Sequence, residues 1–156
     1  MFDVVVVYPL HADESGTKVL LGEKHTGLGQ GRIVGPGGKV EVGESLRQAA
    51  VRELAEEVGL AVDPDVLIPI ARLSYPFPTR PHLSQRSHAF IVREFSGQPT
   101  ASSELTPQWW PLSDIPFDRM WPDAKMWLPS ALAGGFVRAT ISIGDDDDVL
   151  DVDWES

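Results

Sequence analysis

Residues 45–58, SLRQAAVRELAEEV, constrain the fold more than any other stretch. Ala50, Leu54 and Val58 recur at i and i+4, and Val51 and Ala55 widen the apolar stripe. That spacing predicts a helix with one face turned to a core, and Gly59 supplies its stop. Such a helix needs a partner layer, and the flanking segments provide one. FDVVVVYPL and KVLLGEKH read as strands joined by the polar turn HADESG. VLIPIARLSYPF and SHAFIVREF read as two more strands, separated by a loop containing proline and arginine. QWWPL is a short strand before the turn SDIP. A short helix follows Asp123, its expected N-cap, and Pro129 lies within it or at its start, where it would kink the axis. ATISI and VLDVDW form a C-terminal hairpin around GDDDD, an acidic tip whose plain reading is solubility. GLGQGRIVGPGGKVEVGE is mostly loop. Strands before and after one strong helix predict an α/β or α+β domain with a mixed sheet.

The chain of 156 residues is the size of a single domain, taken as 1–156, and its 42% hydrophobic content is globular. The absence of cysteine excludes disulfides and thiolate zinc sites, and suits a cytoplasmic location. No apolar run is long enough to span a bilayer, so no membrane is expected. The net charge of −10 excludes polymeric nucleic acid as a partner, which calls for a basic surface. A small anionic ligand is still compatible with it, provided that metal ions mediate the contact. The oligomeric state is left open.

The helix also carries a puzzle. With about 100° per residue, Glu57 falls about 40° from Glu53, and Glu56 about 60° away on the other side. Like charges so placed destabilise a helix. One reading is a solvated face with Arg52 and Glu56 as an ordinary i,i+4 pair. The other is a cation. Mg²⁺ takes one or two carboxylates together with phosphate oxygens, and the glycine-rich GPGGKVEVGE just upstream lets backbone approach an anion.

Gly38, Glu44, Arg52, Glu53, Leu54, Glu56, Glu57, Gly59 and Leu60 fit the pattern G-x5-E-x7-R-E-U-x-E-E-x-G-U at every defined position. The chain therefore resembles the Nudix hydrolases. The resemblance implies an α/β/α sandwich with a mixed β-sheet and hydrolysis of a nucleoside diphosphate linked to another group. It implies Glu53 and Glu57 as the main Mg²⁺ ligands (Mn²⁺ being an alternative), with Glu56 and the Gly37 carbonyl beside them. It also implies that Glu44 and Arg52 pair to hold the junction of loop and helix. The proton acceptor is Glu56, Glu57 or Glu104, the last having an exposed loop position as its other reading. Lys39, beside the glycines, and Lys24, at a strand end, are candidates for phosphate contact.

Beyond the box, VLLGEK, GRIVGPGGKVEVGES, PQWWPLSDIPFDRMWPD and WLP are similar in order and spacing to the MutT-type 8-oxo-dGTP diphosphatases. This implies a nucleoside triphosphate substrate, with Trp121 and Asp123 lining a base pocket and Tyr75 as a second aromatic wall. Trp121 is otherwise a core residue, and Asp123 otherwise only a helix cap. Two positions depart from that group. Val34 stands where it has asparagine, and Ala124 where it has a second aspartate, so two base-reading side chains are missing. The alternatives are ADP-ribose, a nucleotide sugar or a dinucleoside polyphosphate as substrate, or a domain that only senses nucleotides.

Overall fold

The structure, a computed structural model, describes residues 1–155. Among them are nine strands: β1 (Phe2–Asp13), β2 (Gly16–Lys24), β3 (Ile33–Val34), β4 (Gly37–Lys39), β5 (Ile68–Tyr75), β6 (Gln85–Val92), β7 (Leu105–Pro111), β8 (Val137–Ile143) and β9 (Val149–Glu155). Two α-helices, α1 (Leu46–Val58) and α2 (Ala124–Leu132), accompany them. The sheet runs β3-β2-β1-β6-β5-β8-β9, with β4 pairing on β1 and β7 on β2. Pairs β1–β6 and β5–β8 are parallel and the others antiparallel, so the sheet is mixed.

The valine run of β1 feeds both faces of this sheet, because successive side chains in a strand point opposite ways. Val5 and Val7 join Leu20, Phe90 and Val92 under α1, where Ala50, Leu54 and Val58 close the layer. Tyr8 and Leu10 join Ala89, Ile91 and Ile141 on the other face, beneath Trp127, Leu128 and Ala131 of α2. The result is the α/β/α sandwich. Leu54 is fully buried, which contributes on the order of 2 kcal/mol.

Helix α1 begins in a capping box. The Gln48 N–H donates to Ser45 Oγ (3.1 Å) and the Ser45 N–H to Gln48 Oε1 (2.8 Å), which satisfies two orphan donors. It ends at Gly59 in the left-handed conformation (φ 73°). Its buried arc differs from the expected one. Val51 is half-buried and Ala55 exposed, whereas Ala49, Glu53 and Glu57 are buried with Ala50, Leu54 and Val58. The helix is rolled towards Gly37 and Gly38, whose missing side chains leave space for carboxylates.

Three local readings change in the structure. The first hairpin is tighter than HADESG suggests, since Asp13 still pairs with Gly16. The glycine-rich loop contains β3 and β4. The acidic tip between β8 and β9 is anchored: Arg80 Nη2 donates to the Gly144 carbonyl (2.7 Å) and to Asp147 Oδ1 (2.8 Å), and Thr79 donates to Asp145. A run of four aspartates is strongly hydrated on its own, but two arginines, Arg80 and Arg32, lie within reach of Asp147.

Candidate active site

The site forms where α1 meets β4. Gly37 pairs with Val6 and Gly38 with Val5. A Cβ on Gly37 would sit 2.0 Å from the Val5 carbonyl oxygen, and one on Gly38 would sit 2.5 Å from Glu53 Oε1. Close approach of backbone demands glycine at Gly37, and at Gly38 a side chain would displace the Glu53 carboxylate.

Arg52 is the hub of the acidic cluster. Its Nε and Nη2 donate to the two oxygens of Glu44 (2.6 and 2.9 Å), a bidentate pair. Nη2 also donates to the Lys39 carbonyl (3.0 Å), and Nη1 to Glu53 Oε1 (2.8 Å) and Glu56 Oε2 (3.3 Å). The Arg52 hydrogen bonds hold the Glu44 carboxyl down at about 2. Glu53 and Glu57 go the other way. Burial raises Glu53 against the opposing bond from Arg52. Burial pushes Glu57 up to about 7, against the Gly37 N–H that donates to its Oε1 (3.2 Å), and the Glu53 and Glu104 charges add to the rise. Glu104 is exposed before β7, yet its charge reaches both buried carboxylates.

Glu56 is not gathered with that pair. Its side chain is 60% exposed and faces Arg52, and among the described residues no three acidic or histidine side chains converge as a metal cluster. Glu53 and Glu57 nonetheless fit a hard divalent cation: they offer oxygen donors, burial penalises their unpaired charge, and two carboxylates plus substrate phosphates suffice.

A cavity of about 220 Å³ opens beside Glu57. It is lined by Gly37, Gly38 and Lys24, and also by Tyr75, Phe77, Trp121, Asp123, Ala124 and Trp127. Lys24 thus shares a wall with Glu57, whose charged form it favours. Lys39 does not line it: its amine lies 4.6 Å over the Phe2 ring, a cation–π contact that turns it away.

Asp123 occupies the N-cap position of α2 but makes no capping bond. Instead the Tyr75 hydroxyl (2.7 Å) and the Trp127 indole N–H (2.9 Å) both donate to its Oδ2. Burial still raises its carboxyl above the ordinary range. Trp121 has both expected roles, since it lines the cavity and packs against the core. The Arg32 guanidinium lies 4.8 Å over its ring, and Phe77 meets it edge-on at 6.4 Å. Val34 and Ala124 are part of the wall.

Sequence reasoning missed Tyr8, Arg32, Phe77, Ser87, Trp127 and Asp147. Trp127 was within reach, since it stands one helical turn after Asp123. Phe77 and Arg32 were within reach too, two residues from Tyr75 and Val34, whereas Tyr8, Ser87 and Asp147 come from segments that only the fold brings together.

Residues 2–131 match the profile of the NUDIX domain. The chain is 44% identical over 115 residues to the mouse (Mus musculus) oxidized purine nucleoside triphosphate hydrolase, covering 74% of this chain and 72% of that one. It is 43% identical over 115 residues to the zebrafish (Danio rerio) protein of the same name, with the same coverage. The crystal structure of the mutator MutT protein from Bacillus halodurans superimposes with a TM-score of 0.83 at 21% identity, covering 99% of this chain and 98% of that one, and shares its fold. Loop, helix and carboxylates thus sit on a scaffold common to a whole group of hydrolases, and the chain belongs to the Nudix family.

Proposed function

We propose that this Nudix hydrolase cleaves oxidised purine nucleoside triphosphates, such as 8-oxo-dGTP, to pyrophosphate and a nucleoside monophosphate. The observation that carries the reading is that one cavity is lined both by Glu57 with its glycine strand and by Trp121, Asp123 and Tyr75. A base held among the aromatics would leave its phosphates beside the acidic cluster. The names of the mouse and zebrafish relatives support the same substrate class.

Family members use divalent cations. Here Mg²⁺, or Mn²⁺ in its place, would be held by Glu53 and Glu57, with the Gly37 carbonyl and a reoriented Glu56 as further donors. Such a cation neutralises the charge that builds on phosphate oxygens during displacement at phosphorus. The chain supplies the rest. Arg52 fixes Glu53 and, through Glu44 and the Lys39 carbonyl, the loop before α1. Lys24 offers a positive charge to phosphate. Glu57, Glu56 and Glu104 are the carboxylates from which the proton acceptor is drawn. Trp121 and Tyr75 provide flat apolar surface for a purine, and Asp123 Oδ1 a hydrogen-bonding atom for its edge. Without cysteine the chain depends on no disulfide, which is compatible with a reducing cytoplasm.

The test is a panel with Mg²⁺ and dGTP, 8-oxo-dGTP, dATP, dCTP, ADP-ribose and a diadenosine polyphosphate, following phosphate and pyrophosphate release. Preferred turnover of an oxidised purine triphosphate with pyrophosphate as product is expected. Turnover of ADP-ribose alone would overturn the reading, and turnover of nothing would leave a nucleotide sensor.

A further inference from the structure

The base cavity poses a question of chemistry. Val34 and Ala124 line the cavity and carry no polar group, where the resemblance implies an asparagine and a second aspartate. A site with too few polar contacts discriminates poorly among purines, because only an unpaired buried group penalises the wrong base strongly. Any compensating group must be polar, buried, without a partner in the protein, and open to the cavity.

Tyr8 meets all four conditions. It projects from β1 on the α2 side of the sheet, is 4% exposed, and lines the cavity. Among the described residues its hydroxyl makes no hydrogen bond, and burial and the Asp123 charge alone account for the upward shift of its phenol. The ring is held firmly. Trp127 meets it edge-on at 6.3 Å. Gly35 backs against it so closely that a Cβ there would lie 2.8 Å from a ring carbon. Asp123 also lines the cavity, close enough for its charge to act on the phenol; its Oδ2 accepts two bonds, while among the described residues Oδ1 accepts none from a side chain.

We infer that the Tyr8 hydroxyl is a specificity-determining group that hydrogen-bonds the edge of the purine, paired with Asp123 Oδ1. The inference rests on the purine triphosphate reading above. A neutral phenol can donate to a carbonyl or ring nitrogen and accept from an exocyclic amine, so the pair Tyr8 and Asp123 offers a donor–acceptor face. Ser87, buried at 8% exposure on the neighbouring β6, is the other cavity hydroxyl without a partner among the described residues. It stands beside Val4, four residues from Tyr8 along β1, at a different part of the floor.

The experiment compares wild type, Tyr8→Phe and Ser87→Ala with Mg²⁺, using 8-oxo-dGTP, dGTP and dCTP, alongside thermal melting of each protein. For Tyr8→Phe we expect kcat/KM on the preferred purine to fall about tenfold, mostly through KM, as for one lost hydrogen bond in a dry site. Its kcat/KM on dCTP should fall much less, and its melting temperature should equal that of wild type or exceed it, since among the described residues the hydroxyl bonds nothing. Equal losses on purine and pyrimidine, a purine preference identical to wild type, or a loss in Ser87→Ala alone would each overturn the assignment. An inactive wild type would overturn the substrate reading itself, and the role of Tyr8 with it. An active wild type with an indifferent Tyr8→Phe would remove Tyr8 only.

Discussion

Asp147 lies 3.7 Å from the guanidinium of Arg32 and accepts from Arg80 at 2.8 Å. Each arginine in turn covers an aromatic ring of the cavity beside Glu57, Arg32 over Trp121 at 4.8 Å and Arg80 over Phe77 at 5.2 Å. One aspartate at a hairpin tip therefore braces two walls. Arg32 adds a bond from Nη1 to the Met120 carbonyl (3.1 Å), which ties the bracing to the backbone before Trp121. The expected outcome for Asp147→Ala is a rise in KM for the purine triphosphate of about fivefold, the scale of one partly exposed ion pair, with kcat near wild type. Steady-state kinetics checks it, and an unchanged KM would show that the rings hold their places unaided.

Glu57→Gln separates catalysis from stability. Turnover is expected to fall at least ~100-fold, the scale of losing a proton acceptor or a cation contact. The metal-free protein should melt at a higher temperature at pH 8, because a buried charge is replaced by a neutral amide. Activity assays and melting curves in chelator read both effects, and near-normal turnover would contradict the role given to Glu57.

The same residue sets a pH dependence. Its carboxyl is raised to about 7 from the ordinary 4.5, so between those values the folded chain binds more protons than the unfolded one. Its contribution to stability is complete below about pH 4.5 and is lost as pH rises through 7. Melting temperatures of the metal-free wild type should therefore drift down from pH 5 to pH 8, and those of Glu57→Gln should drift less. Equal slopes in the two proteins would count against the buried carboxyl.

Gly37 and Gly38 should respond differently to alanine. At Gly37 the new methyl meets backbone, the Val5 carbonyl at 2.0 Å, and the β1–β4 pairing must yield, at a cost of about 2 kcal/mol or more. At Gly38 it meets the end of a flexible side chain, Glu53. Gly38→Ala is expected to fold with nearly wild-type stability and to lose activity as the carboxylate shifts. Urea unfolding together with kinetics distinguishes the pair.

Arg52→Lys keeps the charge and loses the fork. Lysine cannot bond both Glu44 oxygens while also reaching Glu53 and the Lys39 carbonyl. A loss of about 2 kcal/mol in stability and a larger relative loss in kcat are expected, measurable by denaturant titration and turnover. A silent substitution would mean that charge alone holds the loop.

What could be read in advance was whatever repeats locally. The 3.6-residue period predicts α1, apolar runs bounded by turn residues predict the long strands, and the box spacing names Glu44, Arg52, Glu53 and Glu57. The roll of α1 was hidden, because apolar spacing cannot weigh two carboxylates against the space that Gly37 and Gly38 leave open. Asp123 followed its local propensity to the N-cap, but the Tyr75 hydroxyl and the Trp127 indole compete for its oxygen, and a contact across 48 residues has no local signature. Tyr8 looked like one more apolar residue in a valine-rich strand. Asp147 looked like solubilising charge, since nothing in GDDDD announces that Arg32 and Arg80 wait across the fold.

The valine run of β1 has one more implication. Val5 and Val7 serve one layer, Val6 and Tyr8 the other, and a neighbour on each flank reads the same ruler. A single inserted residue would exchange the two sides wholesale, carrying Tyr8 out of the cavity and dragging Gly37 and Gly38 off their marks. Length, more than composition, is what this strand must conserve.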